Sequence, residues 1–248
     1  MARGRWRFAF RAAVVLAGGA AVLLILVGLS LPDVSGLSAK TPPSTSLMRL
    51  RAAEAKKTGA RYAVRQEWVD FGRIPDLLKK GVLVSEDAAF YSHKGVDYEE
   101  LKAAIKQDLR ERRFARGAST ITQQLAKNLY LSTDKTLWRK IKELWITRKL
   151  EKALPKNRIF SLYLNLIELG PGVFGVQAAA RHWFGKGIED LGLEEIVRLT
   201  AIIPRPLRSD PRTNDAWMKF KGAWIADTLK AAGAISEDER QTLLRSFR

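Results

Sequence analysis

Apolar residues recur at helical spacing through most of the chain after about Met48. The pattern predicts helices over Ile74–Leu83, Tyr98–Leu109, Ile121–Leu131, Leu137–Leu154, Ile159–Leu169, Val173–Phe184, Leu193–Ile203 and Trp217–Ala232. Strand alternation is scarce, and Tyr62–Phe71 (YAVRQEWVDF) is the best candidate for one short extended piece. Pro204 and Pro206 break the chain after one helix, so Pro204–Asp215 reads as a surface loop leading into the last predicted helix. No internal repeat is seen. These features predict a mostly helical fold.

A different pattern fills the N-terminus. Ala12 to Leu31 is a run of 20 residues without a charge, and about 20 such residues cross a bilayer as a helix. Arg3, Arg5, Arg7 and Arg11 precede it with no acid among them, which predicts a cytoplasmic N-terminus. The rival reading is a cleaved signal peptide, with Val34-Ser35-Gly36 as its site. The apolar cores of signal peptides run only about 7–15 residues, so the anchor is favoured. Pro32 ends the run, and the prolines and serines of 33–47 read as a linker. The expected organisation is a basic tail (1–11), a transmembrane anchor (12–31), a linker (32–47) and one helical domain (48–248).

Composition sharpens this. The 248 residues carry 43 Lys and Arg against 26 Asp and Glu, a net charge of +17. Such a field suits an anionic partner. A body held outside the cytoplasm makes nucleic acid unlikely as that partner and favours anionic lipid or a phosphorylated lipid. There is no cysteine, so disulfides, thiolate metal sites and a cysteine nucleophile are excluded. His93 and His182 are far apart in sequence with no HExxH-type pair, so His93 is expected to be a hydrogen-bonding residue rather than a metal ligand. Lys57-Thr58-Gly59 and the S-x-x-K of Ser132–Lys135 echo transpeptidase elements. They are in the wrong order, without an accompanying S-x-N, and are set aside.

Three stretches carry candidate chemistry. SEDAAFYSHKGVD (Ser85–Asp97) puts Glu86 and Asp87 side by side in a strongly basic chain. In RGASTITQQLAKN (Arg116–Asn128), Thr120 and Gln123 have capping-box spacing. Thr120, Gln123, Gln124 and Lys127 fall on one helix face, a line of donors suited to sugar hydroxyls and phosphate oxygens. Ile121, Leu125 and Leu129 form a separate apolar stripe. In DKTLWRKIKELWITRKLEKALPK (Asp134–Lys156), Lys135, Arg139 and Glu143 are spaced by four, flanked by Lys140 and Lys142. This is either ordinary surface ion pairing, worth a few tenths of a kcal/mol per pair, or a pyrophosphate site.

Taken together these segments resemble the peptidoglycan glycosyltransferases, glycosyltransferase family 51. EDAAFYSHKGVD resembles the first motif, GASTITQQLAKN the second and RKIKE (Arg139–Glu143) the third. RIFSLYLN and GVFGVQAAARHWFGK resemble the fourth and fifth, in the family's order, over about Arg65–Asp210. One departure stands in the fourth motif, where Ser161 occupies the place of a glutamate. The resemblance implies a lysozyme-like helical fold with a smaller membrane-facing lobe. It also implies polymerisation of lipid II into β-1,4-linked glycan with inversion and loss of undecaprenyl pyrophosphate, in cell wall biogenesis.

Carried over motif by motif, Glu86 would be the general base and Glu143 the second essential glutamate, ordering the cations or a divalent metal. Ser119, Gln123, Gln124, Lys127, Lys135, Arg139, Lys140 and Lys142 would contact phosphate or sugar. Asp87, His93 and Asn165 would support them. Magnesium or another divalent cation is compatible with this, although no ligand set in the sequence demands it. The implied partners are lipid II, the lipid-linked glycan, anionic membrane lipid (with Arg110, Arg112, Arg113 and Arg116 around Phe114 suited to that interface) and proteins of cell-wall synthesis or division. The implied location is a bacterial plasma membrane, single-pass, with the domain outside. A lytic enzyme of related fold and a non-catalytic basic scaffold are the rival readings.

Overall fold

The computed structural model describes residues 30–111 and 119–248, with isolated positions between 10 and 28; side chains at 105 and 107–111 are outside the description. The expected anchor and the basic cluster Arg110–Arg116 therefore fall largely outside the described residues. Among the described residues no helix is long and apolar enough to cross a membrane.

The chain is mostly helical. In order come α1 (Ser46–Lys57), a short strand β1 (Arg65–Gln66), α2 (Asp76–Glu86), α3 (Tyr98–Glu111), α4 (Ile121–Tyr130), α5 (Leu137–Ala153) and α6 (Lys156–Leu166). A hairpin β2 (Glu168–Gly170) and β3 (Val173–Phe174) follows, then α7 (Val176–Phe184), α8 (Leu193–Ala201), α9 (Ala216–Ala231) and α10 (Glu237–Ser246). β3 is central in the small sheet, parallel to β1 and antiparallel to β2.

α4 is the middle of the packing. It lies against α1, α5 and α6, while α2, α8 and α9 pack together on another side. Its apolar stripe, Ile121, Leu125 and Leu129, is buried as the spacing predicts. Phe90 from the turn after α2 packs against Phe160 of α6, ring centroids 5.6 Å apart, and both are fully buried. One hydrophobic cluster runs through all these helices.

Two predicted helices end early or start late. Leu169 belongs to β2, and Val173 and Phe174 form β3. Strands of two or three residues show no period, so a helical reading absorbed them. Gly175 makes the switch from β3 to α7. Its φ is +82°, and a Cβ there would stand 2.5 Å from the Asn165 carbonyl oxygen, so only glycine fits.

Residues 33–47, expected as a linker, lie along the body. Val34 and Leu37 join the core cluster. Lys149 donates to the Pro32 carbonyl at 2.7 Å, and Arg158 donates to the carbonyls of Leu37 and Lys40 at 2.8 and 2.9 Å. α1 is then clamped from its far side. Arg51 donates twice to Glu168, 2.9 Å each, a bidentate pair bridging 117 residues of sequence. The paired carboxylate raises the Arg51 pKa above its ordinary value.

Candidate active site

Glu86 is the last residue of α2, and Asp87 is the cap that ends it. Ending the helix there separates the two carboxylates. Asp87 turns inward and is buried. Its Oδ2 accepts the Ile121 N–H at 2.9 Å, an unpaired donor at the start of α4, and its Oδ1 lies 2.9 Å from His93 Nε2. His93 Nδ1 accepts the Gly95 N–H at 3.0 Å, so Nε2 carries the ring proton and donates to Asp87. Gly95 sits at φ +92°, and a Cβ there would meet Thr147 Cγ2 at 2.6 Å.

Glu86 instead stays half-buried on the wall of a cleft of about 580 Å³. Gln124 Nε2 donates to its Oε2 at 3.1 Å and Ser85 Oγ to its Oε1 at 3.2 Å. Tyr163, fully buried in α6, donates its hydroxyl to Gln124 Oε1 at 3.1 Å. That bond orients the Gln124 amide with its nitrogen toward Glu86. Burial raises the Glu86 pKa above the ordinary carboxylate value, against the lowering effects of Gln124, Lys221 and Ser85. Burial likewise holds the Tyr163 hydroxyl well above its usual range, which keeps it a donor.

The cationic half lies across Ser119. Lys140 Nζ is 3.2 Å from Ser119 Oγ and also pairs with Glu143 Oε1. Arg139 Nη1 donates to Glu143 Oε2 at 2.5 Å. Glu143 is buried, and each of its oxygens meets one of these cations. Lys127 of α4 adjoins this cluster. Burial lowers its pKa, with Glu143 opposing the shift and Arg139 and Lys140 adding to it. A continuous polar line thus runs Glu86, Gln124, Ser119, Lys140, Glu143, Arg139.

The sequence-predicted residues divide accordingly. Glu86, Ser119, Gln124, Lys127, Arg139, Lys140 and Glu143 are brought together, with Asp87 and His93 behind Glu86. Gln123 is not a free donor: it is buried, and its Oε1 accepts the Thr120 N–H at 3.0 Å in a capping box. Thr120 is likewise used up, donating to the Gly95 carbonyl at 2.7 Å. The expected four-donor face is therefore reduced to Gln124 and Lys127, because capping the orphan N–H groups of α4 takes the other two side chains. Lys135 is exposed and precedes the Thr136 cap, so it does not share a helix face with Arg139 and Glu143. Lys142 lies over the Trp138 ring, 5.6 Å from its centroid.

Asn165 is fully buried beneath the site. Its side chain accepts the Val69 N–H and donates to the carbonyls of Val69 and Ser161. Ser161 itself is buried in α6. Among the described residues no group of three or more His, Asp and Glu side chains is gathered to hold a metal ion. Glu143, the carboxylate expected to order cations or a metal, already has both oxygens on Arg139 and Lys140, so the residues present do not fit a divalent ion there.

Part of the cleft's lining was missed. Lys221, Trp224 and Thr228 of α9 line it together with Glu86, as do Asp97 and Glu100. Lys221 Nζ lies 3.9 Å from the Trp224 ring centroid, and burial lowers its pKa while Glu86 raises it. The signal was spacing: Lys221, Trp224 and Thr228 stand at i, i+3 and i+7 on one face of α9.

The family model for transglycosylases matches residues 53–230, from α1 through the cleft-lining stretch of α9. The chain belongs to the transglycosylase family. Its relatives include proteins named biosynthetic peptidoglycan transglycosylase. The one from Nitrosospira multiformis is 39% identical over 191 residues, covering 77% of this chain and 83% of the relative. That from Nitrosomonas eutropha is 44% identical over 191 residues, 77% of this chain and 78% of the relative. A third, from Laribacter hongkongensis, is 42% identical over 174 residues, 70% and 76% of the two chains. As a transglycosylase, the chain is an enzyme of glycosyl transfer.

Proposed function

We propose that this transglycosylase builds peptidoglycan, polymerising lipid II into β-1,4-linked glycan strands. The acceptor 4-hydroxyl attacks the anomeric carbon of the donor from the face opposite its pyrophosphate. The new C–O bond forms as the bond to pyrophosphate breaks, and the anomeric configuration inverts. The hydroxyl proton passes to Glu86. The electron pair of the broken bond leaves on the pyrophosphate oxygen.

Each half of this step has its own requirement. A base must be near the hydroxyl and poorly solvated, so that taking a proton is favourable. Glu86 meets this through its raised pKa and through the Tyr163–Gln124 relay that fixes its direction. The leaving pyrophosphate departs as an anion and needs positive charge rather than a proton. Arg139, Lys140 and Lys127 supply it. Glu143 holds the first two in place, an arrangement suited to ordering cations.

The observation that carries the reading is this division of labour: one desolvated carboxylate joined through Ser119 to a cluster built around a cation-saturated one. A lytic glycosidase would use Glu86 as an acid and has no anionic leaving group to neutralise, so the Arg139, Lys140 and Lys127 cluster is what favours a pyrophosphate donor. Ser161, the departure from the family pattern, is buried in α6 and does not line the cleft.

The substrate's lipid never leaves the bilayer, so the domain works at a membrane surface in the cell envelope. The apolar run of residues 12–31 anchors it there, with the N-terminus cytoplasmic and the domain outside. The helical body is the lysozyme-like part of the fold. The test is product analysis with purified full chain. Long glycan and undecaprenyl pyrophosphate from lipid II support the reading; soluble fragments from finished wall, with no polymer from lipid II, refute it.

A further inference from the structure

A second cavity, about 630 Å³, has His93 in its wall and shares no lining residue with the cleft. It is lined by His93, Lys94, Val96, Tyr98, Glu151 and the exposed cations Arg148 and Lys152 of α5. Nothing in the proposed transfer reaction uses it.

Its charge is unbalanced. Glu151 is the one carboxylate in its lining, and Oε1 of that group is engaged by Lys156 at 2.8 Å and by the Thr122 hydroxyl at 2.5 Å. The side chains of Lys94, Arg148 and Lys152 make no ion pair or hydrogen bond among the described residues. Arg148 and Lys152 also stand four apart on one helix face, a like-charge spacing that destabilises a bare helix. Three unpaired cations around a concave space, with the Tyr98 phenol at its rim, form a setting for a phosphate group. A guanidinium can take two of its oxygens, and ammonium groups the remainder.

We propose that this cavity binds a phosphate anion, the phosphodiester of an anionic lipid headgroup or a soluble phosphate, separately from the substrate's pyrophosphate. Its wall is in contact with the catalytic machinery. His93 lines the cavity and donates to Asp87, and Asp87 holds the start of α4 beside Glu86. α3 begins between the two spaces, with Tyr98 on this cavity and Glu100 on the cleft.

His93 is one of only two histidines, so its ring is a local reporter. The experiment uses full chain in neutral detergent micelles, histidine-labelled, with His182→Gln to leave one ring signal. It is titrated with inorganic phosphate, with short-chain phosphatidylglycerol and with short-chain phosphatidylcholine. The expected result is a saturable shift of the His93 signal with phosphatidylglycerol or phosphate, weaker with the zwitterionic lipid. In Arg148→Ser/Lys152→Ser the affinity falls by more than about tenfold, as loss of two charge-assisted contacts requires. The double variant's own unliganded His93 signal is the zero of its titration, because both substitutions lie in the wall that His93 shares.

Tighter binding of phosphatidylglycerol than of phosphate identifies a headgroup site; equal binding identifies a site for soluble phosphate. A His93 signal that does not move, or that moves equally in the double variant, overturns the proposal. None of these readouts depends on turnover, so their failure is separate from failure of the transferase reading.

Discussion

Glu86 holds its charge at a cost, and that cost is open to measurement. Its folded pKa is raised by burial. The ionised form is therefore less stable in the folded chain than in the unfolded one. The penalty is fully present above the folded pKa and vanishes below the unfolded value. Glu86→Gln is expected to unfold at a higher temperature than wild type at pH 7, with the difference closing as pH falls through the carboxylate range. Thermal melts across pH 4–8 check this. Active sites commonly trade stability for function in this way. The same shift bears on rate. The acid limb of kcat/KM is expected above the ordinary carboxylate pKa of 4.5, since the base must be deprotonated. A limb at or below 4.5 would count against Glu86.

Residue-level chemistry was legible in part. Spacing put Arg139, Lys140 and Glu143 together but left surface pairing and a pyrophosphate site both open, and only the family resemblance gave Glu86 and Glu143 their roles. Gln123 and Thr120 could be read two ways, as caps or as ligands, and the helix took them as caps. Tyr163 could not be found at all. Its role depends on reaching Gln124 from 39 residues away in sequence, and nothing local announces it.

At the scale of elements, the site depends on how α2 ends, how α4 starts and how the loop between them turns. Gly95→Ala must force a positive φ on a residue with a Cβ, costing about 1–2 kcal/mol, and also displace Thr147. The expected outcome is a melting temperature lower by several degrees, from about 2–4 °C per kcal/mol at this size. Activity should fall alongside, since Gly95 holds both His93 and Thr120. In α5, Glu143→Gln leaves Arg139 and Lys140 side by side without their shared partner. It is expected to lower kcat by about 10²–10³, the scale of a lost electrostatic group. A melting temperature within a few degrees of wild type would separate this from unfolding.

Long periodic helices were legible: Leu137–Leu154 was expected and Leu137–Ala153 is found. α1 and α10 were not. Each contributes few residues to the core, so neither shows a stripe. The Ser236–Glu239 capping box at the start of α10 was the available signal. The hairpin was invisible for the opposite reason, its strands being too short and too apolar to show alternation.

For the whole molecule, the net charge of +17 sets long-range behaviour. Attraction to anionic membranes should weaken as salt shortens the Debye length from about 10 Å at 0.1 M to about 3 Å at 1 M. Co-sedimentation with phosphatidylglycerol vesicles across that range should show the decline in the component that anchoring by residues 12–31 does not supply. The buried Arg51–Glu168 pair ties α1 to the hairpin across the body. Arg51→Ala strands a buried carboxylate and should cost about 3–5 kcal/mol, read from chemical denaturation. No sequence pattern marks such a pair, because its members meet only once the whole chain has folded.

The central claim is that one desolvated carboxylate takes the acceptor's proton while a separate cation cluster receives the pyrophosphate. The measurement that bears on it most directly is the rate of glycan formation from labelled lipid II by wild type and Glu86→Gln, each confirmed folded by its melting temperature. A loss of about 10²–10⁴ in rate, the contribution of a positioned general base, with the fold at least as stable as wild type, is the expected result. A folded Glu86→Gln variant that polymerises at the wild-type rate would contradict it.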